Sequence, residues 1–177
     1  MTAPQPSAAQ TVRPRSLART AAVQALYQMD LAGTDLNRVI EEFQRERFSP
    51  DAVTAGGEPH RDPDPDEKAE GADTQFFADI LRGVVRRQRD IDPMIDHQLA
   101  EGWRLVRVDS ILRAILRAGA FELMERSDVP VRVVINEYID VAHAFFDAEE
   151  PRVVNGVLDK IARKLRSAEL EAGKKGS

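Results

Sequence analysis

The sequence of 177 residues contains no cysteine, which excludes disulfides, thiolate metal sites and cysteine nucleophiles. Aromatic residues make up only 6% of the chain, with a single tryptophan. No apolar run approaches the ~20 residues of a membrane-spanning helix. Residues 1–12 lack the cationic start and apolar core of a secretory signal. We therefore expect a cytoplasmic protein rather than a secreted or membrane-bound one.

Motifs that carry chemistry are also missing. The sequence has no HExxH, no GxSxG and no glycine-rich phosphate loop. His60, His97 and His143 fall in different predicted segments. Asn136, Asp140 and His143 would share one helix face, where a metal or acid/base cluster is the alternative to a solvated face; we favour the solvated face. The sequence predicts no enzyme activity, no cofactor and no metal site.

Charge is distributed unevenly along the chain. The net charge of −5 argues against a protein that coats nucleic acid by bulk charge. The first 29 residues nevertheless contain three arginines and no acid, and residues 163–177 contain five basic side chains against two acids. Both ends are therefore predicted to be locally basic, with the negative charge concentrated between them.

Apolar spacing predicts an all-α domain whose central helix covers residues 108–126, VDSILRAILRAGAFELMER. Its apolar residues recur at the i, i+3, i+4, i+7 spacing of a helix with one broad buried face. Gly119 lies in that apolar stripe. Because glycine has no side chain, its presence there predicts that a neighbouring helix crosses the central helix at close range. Glu122 lies there too, and a buried carboxylate needs a partner, either N–H groups at a helix start or an arginine. We expect Glu122 to be a structural clamp rather than an acid catalyst.

Similar periodicity predicts about seven helices in all. The other six cover roughly residues 14–31, 35–49, 74–90, a short segment from 92, a segment after 130, and 149–165. The short segment is predicted from Asp92 as N-cap and Pro93 as first helical residue. Trp103, in the connector before the central helix, is expected to pin that connector to the core. Gly156, early in the last helix, suggests close approach of a helix or a ligand.

Two segments are predicted to lie outside the packed body. Residues 1–12 form a disordered tail, and residues 49–73 form a disordered acidic insertion, because the insertion has a single large aliphatic residue and many acids. The remaining chain is predicted to be one helical domain over 13–168. Its N-terminal half is 13–90, its C-terminal half is 91–168, and a basic tail follows at 169–177.

Arginines near the start of the first helix have two interpretations. Arg13, Arg15 and Arg19 either serve solubility or form an arginine-bearing arm that grips RNA phosphates. Tyr27, further along that helix, either contacts a ligand or packs half-buried.

Four stretches together resemble the NusB family of bacterial transcription antitermination factors. They are AVQALYQMD, ILRAGAFEL, VINEYIDVAHAF after DVP, and VVNGVLDKIA. The similarity runs from about Arg15 to Leu165, interrupted by the acidic insertion. It implies a compact bundle of about seven helices in two small subdomains, and no enzyme activity.

The resemblance also implies partners and contact residues. Proteins of this family bind the boxA element of ribosomal RNA leader transcripts together with NusE, a small-subunit ribosomal protein, within an RNA polymerase antitermination complex. Some relatives dimerise, so the free protein is either a monomer or a homodimer. By position, the resemblance implies RNA contacts at Arg13, Arg15, Arg19, Glu149, Arg152 and Val153. It implies partner contacts at Tyr27, Leu112 and Arg113, although Leu112 stands where relatives usually have an acid.

Two other function classes remain open at this point. One is an RNA-binding module like that of some ribosomal RNA cytosine methyltransferases, which would require a downstream domain for the methyl donor. The other is a purely structural interaction domain whose basic ends are incidental.

Overall fold

A computed structural model describes residues 8–48, 71–147 and 149–176. Within these ranges the chain forms seven α-helices and no strand, which confirms the all-α prediction. The helices are α1 (Ala8–Ala32), α2 (Leu36–Glu46), α3 (Thr74–Asp96), α4 (Ser110–Glu125), α5 (Val131–Phe145), α6 (Glu149–Leu165) and α7 (Ser167–Lys175), with a 3-10 turn at Leu105–Arg107. No helix in the described ranges has the length and apolar character needed to cross a membrane.

The central position of α4 is confirmed, since α4 packs against α1, α3, α5 and α6. Its start is set by Asp109, whose carboxylate accepts hydrogen bonds from the backbone N–H of Ile111 at 2.8 Å and of Leu112 at 3.3 Å. Such an N-cap satisfies donors that a helix start leaves unpaired. Ile115 and Leu116 are fully buried, so this helix supplies the middle of the core.

Close helix crossings occur at two glycines. A Cβ atom at Gly119 would lie 2.7 Å from Leu158 of α6, which confirms the predicted crossing. A Cβ atom at Gly83 of α3 would lie 2.1 Å from the ring of Phe121. Gly156 differs: it is exposed, and a Cβ atom there would meet nothing within 4 Å. The predicted close approach of a helix at Gly156 is therefore wrong.

The predicted break before Pro93 is also wrong, because α3 continues through it to Asp96. Asp92 does not cap a new helix; its carboxylate receives two hydrogen bonds of 2.9 Å from the Arg117 guanidinium of α4. Ile91 and Ile95 flank the proline and are both fully buried. Continuous helix keeps these two side chains on the same face, and this packing outweighs the local cost of proline.

Both ends of the chain differ from the sequence prediction. Helix α1 begins at Ala8, inside the segment predicted to be a tail, and alanine and glutamine there are good helix formers. At the other end, α7 replaces part of the predicted basic tail. Arg166 donates to the Val129 carbonyl at 2.8 Å, and Glu169 accepts from the Val131 N–H at 2.9 Å, so α7 is held against the start of α5. Apart from residues 71–73, the predicted acidic insertion lies outside the described residues.

Trp103 does not pin its connector to the core. The residue is 52% exposed, and Val106 in the following turn is 78% exposed. The connector is instead anchored by Leu105, which is buried and whose N–H donates to the Asp96 carboxylate at 2.7 Å.

The glycine contacts predict opposite effects for the same substitution at two helix positions. Gly83→Ala should lower the free energy of unfolding by about 1–3 kcal/mol, because the added methyl overlaps the buried Phe121 ring. Gly156→Ala should raise it by up to about 1 kcal/mol, since the site is open and alanine favours the helix. Urea denaturation of both variants measures the two values. Equal effects of the two substitutions would contradict the assigned packing.

Candidate nucleic-acid interface

Arginines at the start of α1 lie at the surface beside the starts of α3 and α5. Arg13 is exposed. The Arg15 guanidinium is 3.8 Å from the Asp73 carboxylate and 3.9 Å from that of Asp128, and its side chain is 36% exposed. Ion pairs at these distances and this exposure are weak, so Arg15 can exchange its partners for a phosphate at little cost.

A single buried ring organises the arginines around it. Phe76, at the start of α3, has the guanidinium carbons of Arg15, Arg19 and Arg126 at 4.7, 4.9 and 5.0 Å from its ring centroid. Cation–π attraction of this kind holds arginine planes in place without neutralising their charge. The Phe76 ring therefore helps to position these three guanidinium groups.

Arg19 takes a different role from the one expected of it. Its side chain is 2% exposed, and its guanidinium makes a two-pronged contact with the Glu122 carboxylate, with distances of 2.8 and 2.9 Å. Burial alone would lower the pKa of Arg19, but the hydrogen bond and charge of Glu122 outweigh it and raise that pKa. The expectation that Arg19 contacts RNA is corrected, because a buried and fully engaged guanidinium is not available to a phosphate.

The same contact confirms that Glu122 is a structural clamp with an arginine as its partner. Glu122 is 0% exposed and lies on α4, so the pair joins α1 to the central helix. Tyr138 of α5 is buried close by; burial first, and then the Glu122 charge, raise the pKa of its hydroxyl well above the usual value. Tyr138 therefore stays uncharged beside the carboxylate.

A second acid ties the start of α1 to α5. Glu137 accepts hydrogen bonds from the Ser16 hydroxyl at 2.8 and 2.9 Å, and its carboxylate lies 3.7 Å from the Arg19 guanidinium. Together with the Glu122 contact, this fixes the orientation of the α1 start. Arg13 and Arg15 are consequently presented on the outer surface.

The predicted RNA residues of α6 lie at the beginning of that helix. Glu149 and Arg152 are exposed, and Val153 is half-buried. Pro151 between them is buried and anchors the helix start. Within the described part of the chain, Arg152 takes part in no ion pair.

The two groups of predicted RNA residues lie at the starts of two different helices, α1 and α6. The start of α1 contacts Glu137 on α5, and α6 begins twelve residues later in the chain, at Glu149. Asn136, Asp140 and His143 on α5 are exposed, as predicted for a solvated face, and the described residues include no metal-ligating cluster.

Two of the three predicted partner-binding residues are engaged inside the protein. Leu112 is 3% exposed and belongs to the core, so its expected contact with a partner is corrected. The Arg113 side chain is 14% exposed, pairs with Asp30 of α1, and donates to the carbonyls of Leu105 and Val106 at 3.2 and 3.3 Å. Arg113 therefore joins the end of α1 to the turn before α4.

Tyr27 is the predicted partner residue that does reach the surface. It is half-buried and lines an open groove of about 430 Å³ between the ends of α1, α2 and α5 and the start of α4. Leu31, Ile111 and Phe145 also line this groove, and Leu31 is 61% exposed. The sequence alone does not identify this groove. Apolar spacing places Leu31, Ile111 and Phe145 on helix faces or at a helix end, but it does not show that residues of different helices come together.

Taken together, the geometry defines a class: an all-helical protein with an exposed arginine surface, a separate apolar groove, and no metal-ligating cluster among its described residues. The sequence model of the NusB family matches residues 16–163. The chain is 51% identical over 155 residues to the transcription antitermination protein NusB of Caulobacter vibrioides, covering 88% of this chain and 96% of that protein. The chain belongs to the NusB family.

Solved structures agree with this membership. NusB of T. maritima superposes with a TM-score of 0.69 at 27% identity, over 89% of this chain and 97% of that one. A structure of the antitermination factors NusB and NusE in complex with dsRNA gives a TM-score of 0.65 at 25% identity, over 86% of this chain and 98% of that one.

Breaking the Arg19–Glu122 pair should destabilise the fold strongly. Arg19→Ala should cost about 3–5 kcal/mol of unfolding free energy, because it leaves a buried carboxylate without its partner. Replacing both residues, as in Arg19→Met with Glu122→Leu, should recover most of that loss. Chemical denaturation measures both variants, with Arg13→Ala as the surface control. A double variant no more stable than the single one would contradict the assignment of Arg19 and Glu122 as a mutually dependent pair.

Proposed function

We propose that this protein is a non-enzymatic transcription antitermination factor that binds boxA RNA of ribosomal RNA leader transcripts together with NusE. In this role it joins an RNA polymerase antitermination complex in the cytoplasm. The observation that carries the proposal is the surface position of Arg13, which is exposed, and Arg15, which is partly exposed, at the start of an α1 helix that internal contacts hold in place in a chain of this family.

RNA is the ligand that this surface suits best. Arginine forks match phosphate geometry, and Arg15 has only long, solvent-exposed acid contacts to give up. Arg152 supplies a further exposed cation at the start of α6. We propose that an RNA strand runs from Arg13 and Arg15 along α5 to Arg152, with Glu149 and Val153 beside it.

NusE is proposed to occupy the groove that Tyr27 lines. The groove is largely apolar, and the large apolar side chain of Leu31 at its edge is 61% exposed. It lies at the end of α1 opposite the exposed arginines, so RNA and protein partners can bind at the same time. Support for both partners comes from the similarity to a structure of NusB and NusE in complex with dsRNA.

The methyltransferase alternative is not favoured. The residues that match cover 96% of the length of the Caulobacter vibrioides protein, which is named as an antitermination protein.

Charge reversal at the α1 start should weaken RNA binding. Arg13→Glu with Arg15→Glu should reduce affinity for a boxA RNA by roughly tenfold or more, and should lower the slope of log K against log salt by about 0.7 for each phosphate that the variant no longer neutralises. Filter binding or fluorescence anisotropy across a salt series measures both quantities.

A matched control separates a local contact from bulk charge. Arg82→Glu with Arg89→Glu makes the same change in net charge at two exposed positions of α3. This control should keep near-normal affinity and the same helical circular dichroism signal. Equal losses in the two double variants, or equal affinity of the normal protein for a scrambled RNA, would contradict the proposed site.

The groove should be tested separately from the RNA surface. Leu31→Glu should reduce NusE binding by roughly tenfold, because it places a charge on a surface that becomes buried, while RNA affinity without NusE stays unchanged. Val85→Glu on α3 is the control, since Val85 is also an exposed apolar residue at 42%. Isothermal titration with purified NusE measures the effect; unaltered NusE affinity in Leu31→Glu would rule out this groove.

A further inference from the structure

Trp103 is an exposed aromatic residue for which the fold itself gives no reason. Large aromatic side chains contribute most when buried, yet Trp103 is 52% exposed on a connector that is anchored by Leu105 instead. It lines a pocket of about 260 Å³ between the connector and the first turns of α6, together with Gln98, Val153, Gly156 and Lys160.

Gln98 contributes an amide side chain to the lining of this pocket. The residue as a whole is 9% exposed. Its amide offers two N–H donors and an acceptor oxygen. Placed among apolar walls, it is suited to the edge of a flat heterocycle.

Lys160 and Gly156 complete the site. Lys160 is the one charged residue in the lining, and it takes part in no ion pair among the described residues. Gly156 leaves free space on the α6 side of the pocket, since none of the neighbouring heavy atoms lies within 4 Å of the position that a Cβ atom would occupy there. Flanking the site in sequence are Arg104 and Arg152, both exposed, and the acid Glu101.

We propose that this pocket binds one unstacked base of a single-stranded RNA, with Trp103 as the stacking surface, the Gln98 amide on the base edge and Lys160 on the adjoining phosphate. Aromatic stacking combined with nearby cations is the usual means of holding single-stranded nucleic acid. The volume lies just below the range of small-ligand pockets and suits one planar group rather than a folded peptide. The inference rests on the proposed RNA-binding function, because Val153 in the lining belongs to the predicted RNA surface.

The single tryptophan of the sequence makes the site directly observable. Titrating the full chain with a single-stranded boxA RNA should quench its tryptophan fluorescence, with the same midpoint as binding measured by anisotropy of labelled RNA. Trp103→Ala should weaken RNA binding roughly tenfold, in the range expected for one stacked base, and Trp103→Phe should restore most of the affinity. With an RNA that carries an abasic nucleotide at the contacted position, the normal protein and Trp103→Ala should have the same RNA affinity.

Two further variants keep the test independent of folding. Gly156→Leu fills the pocket from an open helix position, so it should weaken RNA binding several-fold without lowering the melting temperature. Val106→Ala changes another exposed apolar residue of the same connector, outside the pocket lining, and should leave RNA affinity unchanged.

Each remaining outcome is decisive. Absence of quenching at saturating RNA, or unchanged RNA affinity in both Trp103→Ala and Gly156→Leu, overturns the proposed base pocket. If these variants instead lose only NusE binding, the surface contacts protein and the inference is wrong. If the base pocket fails these tests but Arg13→Glu with Arg15→Glu still loses RNA affinity, the proposed RNA-binding function is retained. An absence of RNA binding by the normal protein would overturn that function itself.

Discussion

A buried ion pair between Arg19 of α1 and Glu122 of α4 is the contact on which the arginine surface depends. Neither charge is accessible to water, so each stabilises the fold only while the other is present. The pair fixes α1 against the central helix, and the Ser16–Glu137 hydrogen bonds fix it against α5. Because α1 cannot rotate without breaking these contacts, Arg13 and Arg15 are held facing outward.

Three arginines that look alike in the sequence therefore divide into two kinds. Arg19 is structural, whereas Arg13 and Arg15 remain available to a ligand. Phe76 links the two kinds, since its ring contacts both Arg15 and Arg19. A surface supported in this way loses little conformational freedom when a phosphate binds, and such preorganisation favours affinity.

The protein presents three surfaces at different places on the helical bundle. The exposed arginines lie at the start of α1, and the Tyr27 groove lies at its end, beside the start of α4. The Trp103 pocket lies at the start of α6, where the connector before α4 folds back over it. Because the surfaces occupy different places, changes at one of them leave the others intact and their effects can be measured separately.

The sequence by itself determined the helical class, the central helix and the clamp role of Glu122, because helical periodicity and the cost of an unpaired buried carboxylate are local properties. The family motifs likewise lie in continuous stretches. Only the tertiary structure decided that Arg19 is the partner of Glu122, that Leu112 is core, that α3 continues through Pro93 and that Trp103 is exposed. These outcomes depend on which faces of distant helices meet. Arg19 and Glu122 are separated by 103 residues, and the spacing within either helix carries no information about the other.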